Sequence, residues 1–392
     1  MRVLFSSIST YGHFFPLLPL AVATARAGHH VGFAVNESLH PYLSGLGVEP
    51  IPAGPPISEA FAEAGRQLFG ERANHDELTP AQWETFVAAT FGSVLPSRYA
   101  EDVGRVVARF HPDLVVYDSV CVGAGMAAAR AGTPAVAHGL SHHSLNVLTP
   151  EYVRRVDAVA EELGLAMSLR EPNPLGHPYL DIYPASMQDP DFVARATRFA
   201  LRPVPFSRPA PLPEWVRSRD RGRPLVYVTL GTEAGAEGAD DLLREIVHGV
   251  AALDADVLVA TGPKLTTALL ADAPDNVVVE SWVPQAELLP HLDLIVHHAG
   301  SGTMLGALGQ AVPQLVLPRG ADQFVNAEAV VAAGVGVRLL PDEVTASSVS
   351  GSARRLLDDG EFRVAARRAA EEIAAMPSPE EVAGILPRLA GR

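Results

Sequence analysis

Short, continuous apolar runs alternate with stretches of helical spacing along most of this chain, and nothing else in it restricts the fold so tightly. Val3 to Ser7 is a short apolar strand, and the apolar residues from Phe14 to Ala27 have helical spacing that ends at Gly28, a natural C-cap. Val31 to Val35 reads as a second strand. Leu114 to Tyr117 and Ala135 to Ala137 repeat the theme around the helical run Val122 to Ala131. Strands that are apolar throughout, with helices between them, predict a parallel sheet covered on both faces. The stretch from Pro150 to about Phe206 reads as irregular. Alternation then restarts, with strands expected at Leu225 to Thr229, Val257 to Ala260, Val277 to Glu280, Leu294 to His297 and Gln314 to Leu317.

Between the two halves, Pro203 to Pro213 holds five prolines in eleven residues, and it continues into the charged stretch Arg217 to Arg223. That composition marks a linker. A chain of 392 residues is too long for one ordinary core. The expected division is an N-terminal domain over 1–205, a linker over 206–223, a C-terminal domain over 224–375 and a last helix within 376–392. Two similar α/β halves predict facing Rossmann-like domains with a ligand cleft between them, at the carboxyl ends of the strands.

Composition excludes several function classes. A formal charge of −15 argues against nucleic acid, which needs a basic stripe. No run approaches the roughly 20 apolar residues that span a bilayer, so no stable membrane insertion is expected. The single cysteine, Cys121, cannot form an internal disulfide, and the chain opens directly on Val3-Leu4-Phe5 without a signal-like segment. Both point to a reducing cytoplasm.

Four features of the second half carry chemistry. Thr229-Leu230-Gly231-Thr232 follows a strand, where a glycine turn and hydroxyls suit a phosphate. Trp282-Val283-Pro284-Gln285 follows the strand ending at Glu280, and an aromatic face there suits base stacking. His297-His298-Ala299-Gly300-Ser301-Gly302-Thr303 lies between a strand and the helix expected near Thr303. Small residues let the backbone approach, and a helix N-terminus favours an anion. Asp322-Gln323, at the end of the next strand, suits sugar hydroxyls. Singly each has a bland explanation as a packed loop or a tight connection; their order and placement speak against that. A dinucleotide fingerprint is the rival, with Gly300-x-Gly302 opening a helix and Asp322 20 residues on. Its third glycine position is Leu305, which opposes it.

Trp282-Val-Pro-Gln285, His298-Ala-Gly-Ser-Gly-Thr303 and Asp322-Gln323 together resemble the donor signature of the family 1 glycosyltransferases of GT-B fold, and in particular the bacterial natural-product branch that serves macrolides, polyketides and enediynes. Gly12-His13-Phe-Phe-Pro16 matches as well, so the resemblance covers nearly the whole chain. It implies that Trp282 and the backbone of Val283 face the base, with Gln285 nearby. His298 and the turn of Gly300, Ser301, Gly302 and Thr303 would hold the diphosphate, helped by Gly231 and Thr232, while Asp322 and Gln323 would read the sugar. His297 is expected to be structural. Family members that use UDP-sugars commonly carry Glu eight residues after the matched histidine, bonding the ribose hydroxyls; here that position is Gly306. The departure favours a dTDP-sugar, whose ribose lacks the 2′-OH. No cofactor beyond this co-substrate is expected, and a homodimer is compatible with the resemblance.

A glycosyl acceptor must lose a proton as it attacks, and histidine titrates in the right range. His13 lies after the first strand at a helix start with Pro16 in its first turn, where the dipole disfavours the imidazolium. Asp118, at the end of its strand, is the expected partner that orients the ring, as the family match implies; the competing reading is a helix N-cap. Phe61, Trp83 and Phe86, among the aromatics of the Pro55 to Leu95 stretch, and His138 and His142 are weaker candidates for an acceptor pocket, and core packing accounts for the aromatics equally well. Asp254-Ala-Asp256 superficially suggests a metal site, but it precedes a strand and so falls at the wrong edge. No metal is expected. The rival functions are a UDP-sugar-dependent transferase, a catalytically silent nucleotide-binding homologue that assists a partner enzyme, and a sugar-nucleotide epimerase or hydrolase.

Overall fold

The computed structural model describes residues 1–70, 78–143, 149–207, 210–219, 222–231, 239–262 and 265–391. The chain divides into two compact units. The first comprises Met1–Ile182, Asp189–Leu201 and Pro377–Arg392, and the second Tyr183–Gln188 and Arg202–Met376.

In the first unit, strands β1 (Arg2–Ser6), β2 (His30–Val35), β3 (Glu49–Pro52), β4 (Leu114–Asp118), β5 (Ala135–His138), β6 (Tyr179–Asp181) and β7 (Arg198–Ala200) form one sheet in the order β3-β2-β1-β4-β5-β6-β7. Every pairing is parallel. β1, β4 and β5 lie inside the sheet with helices on both faces, which is why their sequences are apolar without alternation. β3 contains Pro50 and Pro52 and pairs only with β2, since proline is tolerated on an edge. The helical run after β1 is compound: a turn over Tyr11–Phe14, a 3₁₀ turn over Phe15–Leu17, then a helix over Leu18–Arg26 that closes at Gly28 in the left-handed region. The helix Pro379–Leu389 packs on Leu18–Arg26 within this unit.

The stretch after Pro150 departs from its sequence reading. A helix spans Pro150–Glu162, with the Thr149 hydroxyl accepting from the Tyr152 amide as its N-cap. It buries Val153, Val156, Val159 and Ala160, three to four residues apart, and β6 and β7 follow it.

The second unit has β8 (Leu225–Thr229), β9 (Asp256–Ala260), β10 (Val277–Glu280), β11 (Leu294–His297), β12 (Gln314–Val316) and β13 (Gly336–Arg338) in the order β10-β9-β8-β11-β12-β13, again parallel. Helix Ala239–Ala251 packs on helix Ala346–Asp358 over one face, burying Val247 and Val250 against Val349 and Ala353. Among the described residues no helix is long and apolar enough to cross a membrane.

Candidate active site

Strand order reverses once in each sheet, between β1 and β4 in the first unit and between β8 and β11 in the second. Connections leave such neighbours in opposite directions, so a crevice opens at their carboxyl ends. The candidate residues concentrate at these two points. His13 follows β1 and Asp118 ends β4; Gly231 follows β8 and His298 follows β11.

In the first unit, His13 Nδ1 lies 2.7 Å from Asp118 Oδ2. Asp118 is completely buried, and the His13 side chain is 23 % exposed. The same carboxylate oxygen accepts the Ile8 amide at 3.3 Å, and Oδ1 accepts the Val120 amide at 2.8 Å. Asp118 is not a helix cap, because Cys121 occupies that position for the helix Val122–Arg130. A carboxylate surrounded by donors accepts from Nδ1–H as well, which places the ring's lone pair on His13 Nε2.

In the second unit, the His298 ring is held between two glycines. A Cβ at Gly231 would fall 2.6 Å from its Cε1, and one at Gly300 2.4 Å from its Nε2, so neither position has room for a side chain. Part of the residue's surface is open, yet its Nδ1 is enclosed and finds no hydrogen-bond partner among the described residues. Desolvation lowers the pKa to about 4 against the opposing pull of Asp322, so the ring is neutral at pH 7. A neutral ring with part of its surface open beside a helix N-terminus fits an anionic ligand.

The neighbouring residues shape this turn. Ala299 adopts φ +66, a left-handed conformation that costs an alanine roughly 1–2 kcal/mol. Its amide donates to His297 Nδ1 at 3.1 Å, and His297 Nε2 therefore donates to Gln314 Oε1 at 2.8 Å. His297 is fully buried and structural, and burial holds its pKa down to about 3. The helix Ser301–Gly309 starts with Gly300 as its N-cap, two residues before the expected start, and carries Ser301, Gly302 and Thr303 in its first turn. The Ser301 hydroxyl donates to Asp322 Oδ2 at 2.8 Å, and Gln285 Nε2 donates to Thr303 Oγ1 at 3.4 Å. Val283 is buried, whereas Trp282 is 55 % exposed and leaves an aromatic face uncovered. Gln323 Oε1 accepts the amides of Arg319 at 2.8 Å and Gly320 at 3.3 Å, leaving its Nε2 donors for another partner. Thr232 lies outside the described residues.

Gly306 faces inward. A Cβ there would meet Leu289 Cδ1 at 2.9 Å and Pro205 Cγ at 3.2 Å, so these side chains take the space a longer residue would need. Asn326 was not singled out by the sequence. It is fully buried and bonds Ala299, Ser301 and Asp322 at once; its only sequence signal is an amide one helical turn after Asp322.

Two acceptor candidates need correction. Phe86 is 1 % exposed and packs against Phe61, Phe69 and Trp83, so it belongs to the core. His138 is completely buried, and its Nδ1 donates to the Gly139 carbonyl at 2.7 Å, so it is not a pocket-lining side chain. Phe61 is partly buried against the same core, Trp83 is half exposed, and His142 follows β5 as a partly buried residue. Asp254 and Asp256, at the amino end of β9, both pair with Arg223.

The chain matches two families along its length. Residues 22–231 match the Erythromycin biosynthesis protein CIII-like N-terminal domain, and residues 244–389 match the corresponding C-terminal domain. It is 33 % identical over 386 residues to L-demethylnoviosyl transferase of Streptomyces niveus, spanning 98 % of this chain and 97 % of the relative. It is 31 % identical to aklavinone 7-beta-L-rhodosaminyltransferase of Streptomyces galilaeus, over 99 % of this chain and 96 % of that one. Among solved structures, the Streptomyces sp. SF2575 glycosyltransferase complexed with thymidine diphosphate aligns with a TM-score of 0.77 at 26 % identity, covering 99 % of each chain.

Proposed function

Since the chain belongs to the bacterial natural-product branch of the family 1 GT-B glycosyltransferases, we propose that it transfers a deoxysugar from a dTDP-sugar to an apolar natural-product aglycone in antibiotic biosynthesis. The observation that carries this reading is the His13–Asp118 pair, a histidine whose tautomer is set by a buried carboxylate so that its Nε2 carries the basic lone pair. An acceptor hydroxyl gives its proton to His13 Nε2, and its oxygen attacks the anomeric carbon. The bond from that carbon to the diphosphate breaks, dTDP leaves, and the configuration at the carbon inverts. Asp118 stabilises the imidazolium while it lasts and keeps the ring oriented.

The second unit supplies the donor grip. His298 and the helix N-terminus at Gly300 to Thr303 hold the diphosphate without a metal, Trp282 stacks on the base, and Asp322 and Gln323 bond the sugar hydroxyls. This arrangement lets a chain of net charge −15 bind an anion, because the attraction is local and built from backbone and neutral groups. Preference for thymidine over uridine is supported by Gly306, where Leu289 and Pro205 leave no carboxylate for a ribose 2′-OH. The thymidine diphosphate complex of a structural relative supports it too. Initial rates with dTDP- and UDP-sugars at equal concentration test the proposal. Faster turnover with dTDP-sugars is expected, and a strong preference for UDP-sugars contradicts it.

A further inference from the structure

Asn326, a buried residue with no part in the proposed chemistry, is the node of a hydrogen-bond network that includes Ser301 and Asp322. Its Nδ2 donates to the Ala299 carbonyl at 2.9 Å, to Ser301 Oγ at 3.0 Å and to Asp322 Oδ2 at 3.0 Å. The Ser301 hydroxyl donates to the same Asp322 oxygen, so Asn326, Ser301 and Asp322 close a triangle. On its other side, Asn326 Oδ1 accepts from the Tyr183 hydroxyl. Tyr183 is fully buried and opens the short segment Tyr183–Gln188, which the chain inserts into the second unit between two stretches of the first.

The consequences follow from what each bond constrains. The Ala299 carbonyl is fixed by Asn326 and its amide by His297, so this left-handed alanine is held from both ends. Such strain persists only where the surroundings over-determine it. Asp322 has Oδ2 occupied by two protein donors, while Oδ1 takes no protein donor among the described residues. A single amide thus sets both the turn that carries His298 and Gly300 and the direction of the Asp322 carboxylate.

We propose that Asn326, seated by Tyr183, is a positioning residue for the sugar-nucleotide donor, coupling the diphosphate turn at Ala299–Ser301 to the sugar-facing oxygen Oδ1 of Asp322. The proposal rests on the donor-site reading given above. Tyr183→Phe removes one hydroxyl and little volume, and Asn326→Ala removes the node. The measurements are calorimetric binding of dTDP, with UDP as a second probe, the KM for dTDP-sugar and for acceptor, and the thermal midpoint. Tyr183→Phe is expected to weaken dTDP binding and raise the donor KM by roughly three- to tenfold, the worth of one buried hydrogen bond, with acceptor KM unchanged. Asn326→Ala weakens dTDP binding by more than about tenfold. Unchanged dTDP affinity in Tyr183→Phe overturns the proposal. So does a parallel loss in donor and acceptor KM that tracks a fallen midpoint, which marks a purely structural bond. Failure of the unmodified protein to bind either nucleotide overturns the donor-site reading itself.

Discussion

The bond from His13 Nδ1 to Asp118 Oδ2, at 2.7 Å, has a direction that the rest of the carboxylate's contacts dictate. Ile8 and Val120 donate their amides to the same group, so nothing but an acceptor fits at this position, and Nδ1 must carry the proton. Asp118→Asn places an amide where only acceptors are wanted. Either the Asn Nδ2 takes the place of Oδ1 and faces the Val120 amide, or it takes the place of Oδ2, faces the Ile8 amide and forces the wrong tautomer on His13. A fall in kcat of about 10²–10⁴ is expected, by analogy with the known effect of this change on a histidine–aspartate pair, together with about 1–3 kcal/mol of lost stability. Steady-state kinetics and denaturant unfolding check the two parts.

Gly231 and Gly300 are predicted to be intolerant of alanine for a shared reason. Each added Cβ would enter the His298 ring at 2.6 Å and 2.4 Å respectively, and Gly231 also sits at φ +82, where alanine is strained by roughly 1–2 kcal/mol. Displacing the ring removes the partner proposed for the diphosphate. A loss of at least about tenfold in dTDP affinity is expected for each variant, read by calorimetry. Unchanged affinity in both contradicts the role given to His298.

Gly306→Glu is expected not to create a UDP-sugar enzyme. The first side-chain atom would already lie 2.9 Å from Leu289 Cδ1 and 3.2 Å from Pro205 Cγ, so the new residue must push these aside before any carboxylate reaches a ribose. Overpacking of this kind costs about 1–3 kcal/mol. Thermal unfolding should show that loss, and the ratio of dTDP- to UDP-sugar turnover should not move toward UDP.

Stability is expected to fall on acidification because of two fully buried histidines. Desolvation lowers His138 to about 4 and His297 to about 3, against an ordinary 6.5. Between pH 6.5 and those values the unfolded chain binds protons that the folded chain does not, so unfolding becomes easier as pH falls through that window. Below about 3 both states are protonated and these groups add nothing further. Each contributes on the order of a few kcal/mol once the whole window is crossed. Denaturant midpoints at pH 7, 5.5 and 4.5 should decline in that order; a constant midpoint contradicts the burial of both rings.

Much of this fold is legible in the sequence. Leu225–Thr229, Val277–Glu280 and Leu294–His297 lie where their apolar runs place them, because fully covered parallel strands have continuous apolar sequences. Glu49–Pro52 carries no strand signal in its sequence because two of its four residues are prolines, and Tyr179–Asp181, Arg198–Ala200 and Gly336–Arg338 carry none because three residues have no periodicity. The helix Pro150–Glu162 was readable in principle from Thr149, Pro150 and the spacing of its valines. His13 and Asp118 are legible from their positions after strands taken together with the family resemblance. Their register at a reversal of strand order, which explains why they meet, exists only in the folded sheet. Asn326 and Tyr183 lie 143 residues apart and belong to no motif, so only packing brings them together.

The most direct test of the account separates chemistry from donor binding in one variant. His13→Ala removes the proposed base from the first unit and leaves every residue of the second unit intact. Sugar transfer from dTDP-sugar should fall by at least about 10²-fold, while dTDP binding measured on the same sample stays within about twofold of the unmodified protein. Transfer that continues at a comparable rate would contradict the role of His13, and so would a loss of transfer that is matched by an equal loss of dTDP binding.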